Sequence, residues 1–195
     1  MRRLALAVLC IFAVLGPGHV EPQTGDLVTQ GRQALDAGRP DDAIALFEKA
    51  VAAEPNNPAA LAWLGSAQVR NAARVGGMEA AGWVKRGFDT MDEAVERYPD
   101  AFVVYVVRGV TATRVPELFR KNDVAVKDLS RVVAMKDARP QAVPDAVMPA
   151  VYLNLGTAYK KAGQPAAARA AWEKGKLLYP AAPEAAAIER ELRSL

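Results

Sequence analysis

The chain has 195 residues, 51% of them hydrophobic, with 25 basic and 22 acidic side chains, one cysteine and one histidine. One thiol and one imidazole leave disulfide frameworks, zinc sites and thiol or serine–histidine catalysis without the residues they need. A net charge of +3 spread along the chain is no concentrated basic patch, so nucleic acid is not an expected partner.

In chain order, Arg2 and Arg3 precede the apolar run "LALAVLCIFAVL" (Leu4–Leu15), which Gly16, Pro17 and Gly18 interrupt. That is the pattern of a secretory signal peptide over 1–18. The run falls short of the roughly 20 apolar residues of a membrane span. Cleavage is therefore expected, with no stable span afterwards; an uncleaved N-terminal anchor is the alternative. Cys10 is discounted as a lipidation site because bulky Leu9 precedes it within the run. Removing 1–18 leaves 23 basic against 22 acidic residues and no cysteine. After a linker (19–24), the core alone must hold the remaining domain.

The segment 30–58, "QGRQALDAGRPDDAIALFEKAVAAEPNNP", resembles 155–183, "LGTAYKKAGQPAAARAAWEKGKLLYPAAP". Gly31, Ala34, Gly38, Ala43, Phe47, Ala50 and Pro55 stand at intervals of 3, 4, 5, 4, 3 and 5. Gly156, Tyr159, Gly163, Ala168, Trp172, Gly175 and Pro180 repeat those intervals. Each reads as a helix ended by glycine, a second helix started by proline, and a proline stop. The first unit is placed at about 25–57 and the last at 149–182.

Two less regular units lie between. In 58–101, "LAWLG" supplies Leu64–Gly65, and Met91, Ala94 and Pro99 close the unit after about ten extra residues. Gly76–Gly77 is the expected turn, with a long second helix from about Met78. In 102–139 the β-branched "VVYVVRGVTAT" (103–113) has strand propensity, but a lone strand would leave its backbone groups without partners. It is read as a buried helix from Ala101 to Arg114 with Asp100 as N-cap. Ala125, Leu129, Val132 and Asp137 complete that unit after the insertion "RVPELFRKND" (114–123). A second insertion occupies 138–148. Both are expected either to carry function or to fold back over the repeat edge. A capping helix, 183–194, ends the chain.

This pattern resembles the tetratricopeptide repeat, a helix–turn–helix unit of about 34 residues. The resemblance implies an all-α fold, an α-solenoid of about four such units plus a C-terminal capping helix. It also implies a concave groove, lined by the first helices, that binds a protein or peptide partner. On those helices the candidate partner-binding residues are Arg32, Trp63, Arg70, Arg108, Arg114, Asn154 and Lys160. Some tetratricopeptide proteins clamp a partner's C-terminal carboxylate with lysines and asparagines. Only Asn154 resembles a clamp residue here, and Val28 and Arg32 stand where the first unit of such proteins has its pair.

No catalytic motif, metal site or cofactor is expected. The carboxylates of "PDD" (40–42) and "MDE" (91–93) read as helix-dipole or solvated charges. The functional expectation is a non-enzymatic scaffold, adaptor or assembly factor of a bacterial cell envelope, exported to the periplasm. The alternative is a periplasmic small-molecule or lipid-binding component associated with a transporter, which an enclosed apolar pocket beneath the insertions would favour. Oligomeric state is left open.

Arg108 falls where units two and four carry Leu64 and Leu155. A buried guanidinium needs a partner, and Asp92, Glu93, Asp123 and Asp128 are the candidates. A leucine at 108 is expected to keep the fold.

Overall fold

The computed structural model describes residues 24–195, so the expected signal peptide and the start of the linker lie outside the described residues. The described residues form helix pairs in sequence: α1 (Thr24–Asp36) with α2 (Pro40–Ala53), α3 (Pro58–Val75) with α4 (Gly77–Arg97), α5 (Phe102–Arg114) with α6 (Asn122–Ala138), and α7 (Met148–Lys161) with α8 (Pro165–Leu178), followed by α9 (Ala185–Arg193). First helices touch one another in an inner row, α1 to α3 to α5 to α7. The second helices form an outer row, each packed between its own first helix and the next element. This is an α-solenoid, as the repeat pattern predicts.

The turn chemistry follows the sequence closely. Gly38 and Gly163 adopt φ of +71° and +69°, a left-handed conformation that glycine enters without a Cβ penalty. Beyond them the Arg39 and Gln164 amides reach back to the Ala34 and Tyr159 carbonyls, both at 2.9 Å, closing Schellman-type ends. Pro40 and Pro165 then open α2 and α8. The α3 start shows a cap that sequence reading missed: the Asn57 side chain accepts from the Ala59 and Ala60 amides at 3.0 and 3.2 Å.

Each unit hinges on one glycine of its first helix. A Cβ on Gly31 would fall 2.6 Å from the Phe47 ring, and one on Gly156 would fall 2.3 Å from Trp172 Nε1. In the middle units the same position meets Met91 Cγ at 2.6 Å from Gly65 and Leu129 Cγ at 2.8 Å from Gly109. Phe47 and Trp172 therefore seal their own units. Phe47 also stacks on Trp63 of the next unit, with ring centroids 6.3 Å apart.

The extra residues of unit two lengthen both of its helices, to 18 and 21 residues against 13 and 14 in unit one. α3 and α4 touch along their backbones, where Gly87 sits against Gly65. The α5 segment is a helix, not a strand, and most of it is buried. Its N-cap, however, is Ala101, and no side chain caps it. Asp100 lies one residue too early, in the turn closed by the bond from the Ala101 amide to the Tyr98 carbonyl.

The insertions differ. The second folds back: Val143 and Met148 are fully buried, short 3-10 turns run over Pro140–Ala142 and Asp145–Val147, and Lys136 Nζ donates to the Pro140 and Val143 carbonyls. Asp145 pairs with Lys136 at 2.9 Å and accepts from the Tyr179 hydroxyl at 3.0 Å. In the first insertion Val115 is buried and Phe119 packs on the main core, while Leu118 remains 74% exposed.

Candidate partner-binding face

Four of the seven candidate residues retain accessible surface on the inner face of units one to three. On α1, Arg32 is exposed and lies over the Trp63 ring of α3, 5.1 Å from its centroid. Such a contact contributes about 0.5–1 kcal/mol at an exposed site, and it presents an aromatic and a guanidinium together. One helical turn further along α1, the Leu35 carbonyl accepts from Arg70 of α3 at 3.0 Å. Arg70 and Arg114, the last residue of α5, line a common cleft. Burial lowers the pKa of Arg114, the nearby charge of Arg70 lowers it further, and Asp36 partly offsets both. Like charges are thus held together beside apolar surface.

The other three are engaged within the molecule. Arg108 is 9% exposed and Asp128 is fully buried. Arg108 Nε and Nη2 donate to the two Asp128 carboxylate oxygens at 2.7 and 2.9 Å, and Nη1 donates to Asp92 at 2.6 Å. Burial alone would lower its pKa, but the bonds to Asp128 and Asp92 raise it overall. The arginine ties α4 of unit two to α5 and α6 of unit three, at the junction where α5 leans more on α3 than on α4. Asn154 accepts from the Thr113 hydroxyl and donates to the Ala150 carbonyl, both at 2.8 Å. Lys160 is held by α9, donating to Glu191 at 3.0 Å and to Ser194 Oγ at 2.8 Å. Capping of the last unit therefore uses the lysine that the sequence placed in the groove.

The cleft at the margin of this face occupies about 590 Å³, within the range of ligand pockets. Its walls come from the end of α1 and the start of α2 (Leu35, Gly38 and Pro40), the C-terminal half of α3, the start of α4, the end of α5 and the first insertion. Ala72, Ala73 and Ala80 make the room. Sequence reading located the ten extra residues but not this use of them. The clue was the run of small residues in "NAARVGGMEAAG", whose short side chains leave the cleft unfilled along the ends of α3 and α4.

An inner row of helices that presents arginines and a partly buried tryptophan is the architecture of a helical-repeat interaction scaffold. Residues 28–82 and 150–181 each match a family model described as tetratricopeptide repeat, so the chain carries tetratricopeptide repeats in those two segments. Proteins of this family are typically non-enzymatic scaffolds that bind other proteins.

Solved structures of MamA share the fold. A MamA point mutant is 24% identical with a TM-score of 0.55, the match covering 87% of this chain and 83% of that one. MamA AMB-1 is 23% identical with a TM-score of 0.54, over 87% and 78%. MamA MSR-1 is 24% identical with a TM-score of 0.53, over 80% and 77%. No curated protein matches the chain.

Proposed function

We propose that the protein is an exported, non-enzymatic adaptor or assembly factor of a bacterial cell envelope, working in the periplasm. It binds a partner segment on the inner face of units one to three. The observation that carries this reading is the continuous row Arg32–Trp63, then Leu35–Arg70, then Arg114, drawn from α1, α3 and α5. Tryptophan and arginine are the residue types that most often dominate binding energy at interfaces. The basic, partly apolar row suits a segment carrying acidic and apolar side chains.

The test is quantitative capture from the native host with the tagged chain, its Arg32→Glu and Arg114→Glu variants, and Lys85→Glu on an outer helix. Proteins specific to the inner face are lost with both inner variants and kept by Lys85→Glu. Equal capture by all the chains contradicts the face. Export is tested separately by sequencing the N-terminus of the protein recovered from the periplasmic fraction. A new terminus near His19 is expected, and an intact chain confined to the cytoplasm contradicts it.

A second reading, a ligand-binding component associated with a transporter, draws on the cleft, which is open to solvent and not the enclosed pocket beneath both insertions that this reading expects. It lies beneath the first insertion, with Val115, Pro116 and Phe119 in its wall.

A further inference from the structure

We propose that this cleft binds a small aliphatic carboxylate, its apolar body between Val69, Ala73, Val84 and Phe119 and its head on Arg114 and Arg70. The inference rests on the ligand-binding reading of the cleft and names the class of ligand.

The chemistry of the lining selects this occupant. Ser66 and Thr111 are buried and bonded to each other at 2.9 Å, which leaves one hydroxyl proton between them for a further acceptor. Arg74 also lines the cleft, but Asp41 meets its charge. Arg70 has committed one N–H to the Leu35 carbonyl. What faces an anionic ligand is the Arg114 guanidinium and the rest of Arg70, which are donors only, with one hydroxyl proton of the Ser66–Thr111 pair beside them. An extended peptide brings an N–H and a carbonyl for every residue, and the apolar side chains here give those N–H groups nothing to meet. A carboxylate on an aliphatic body has acceptors at one end and nothing polar elsewhere. It satisfies both guanidinium groups in charge-assisted bonds and relieves the repulsion between them. Ala73 and Ala80 leave the space that the body fills, and both are at least partly accessible from solvent.

Isothermal titration of the full chain with decanoate and with 1-decanol tests this. Decanoate is expected to bind at one site, with decanol weaker by about ten-fold or more, the scale of a charge-assisted hydrogen bond. Arg114→Gln should weaken decanoate by a similar factor while leaving the unfolding midpoint of the free chain unchanged. Ala73→Phe, at an exposed position, should abolish binding of both by filling the cleft. If decanol binds as well as decanoate, or Arg114→Gln has no effect, the carboxylate inference fails while the ligand reading survives. If neither compound binds, both fail. If an acidic, apolar peptide binds and Ala73→Phe blocks it while decanoate stays silent, the cleft belongs to the partner-binding face and the inference is overturned.

Discussion

Arg108 shows how much a count along the chain can reveal about one residue. The interval from Pro99 put it on the inward face in place of a leucine, which demanded an acidic partner. Four acids were within reach by sequence, and the structure uses Asp92 and Asp128. Glu93 pairs instead with Arg97 at 3.0 Å along its own helix, and Asp123 is exposed at the start of α6. The choice among them depended on how α4 and α6 rotate about α5, which no local pattern encodes. The burial of Asp128 also revises the expectation for Arg108→Leu. A leucine strands a fully buried carboxylate, and breaking such a pair costs about 3–5 kcal/mol. In urea denaturation the single variant should lose stability on that scale. Arg108→Leu with Asp128→Leu should recover most of it, since hydrophobic replacement of both partners is often neutral. A single variant as stable as wild type would show that the pair is not what holds the junction.

At the scale of elements, the turns and close approaches were legible because only a few residue types satisfy them. A left-handed helix end selects glycine, a helix start tolerates proline, and a helix crossing over an aromatic ring excludes a Cβ. The same logic separates two glycines of α4. A Cβ on Gly87 would lie 2.5 Å from the Gly65 carbonyl oxygen, whereas one on Gly82 meets nothing within 4 Å. Gly87→Ala forces the α3 and α4 backbones apart and should cost about 1–3 kcal/mol or more. Gly82→Ala should stabilise by up to about 1 kcal/mol through helix propensity. Opposite shifts in unfolding midpoint are the expected outcome, and equal shifts would contradict the close approach.

That the second insertion folds back was one of two expectations, and the sequence did not decide it, because besides the neighbouring Lys136 it is secured by Tyr179, 34 residues from Asp145. Burial, then the hydrogen bond to Asp145, raises the Tyr179 pKa from 10.0 to about 12. With the folded pKa above the unfolded one, this contribution is complete below about pH 10 and is lost as pH rises towards about 12. Wild type should lose stability across that window more steeply than Tyr179→Phe, read as urea midpoint against pH. Parallel curves would show that the tyrosine does not fasten the insertion.

For the whole molecule, the period of the sequence foretold the solenoid, because every unit must bury its helices against the next. The partner-binding face was foretold only in part. Position on a first helix places a residue on the inner row, but availability depends on what neighbouring units demand. Asn154 and Lys160 bond to α5 and α9, although Lys160 stays exposed, so their polar groups are partly committed within the molecule. The cleft lies where the added length of α3 and α4 meets unit one, the end of α5 and the first insertion, an arrangement that tertiary packing sets.

The most direct test of the central claim is site-specific photo-crosslinking in the native host. A photoreactive residue is placed in turn at Arg32 and Arg114 on the inner row, and at Lys85 and Glu173 on outer helices. Crosslinks to a common partner from the two inner positions, absent from the outer ones, are the predicted result. Crosslinks from the outer positions alone would contradict binding on the inner face.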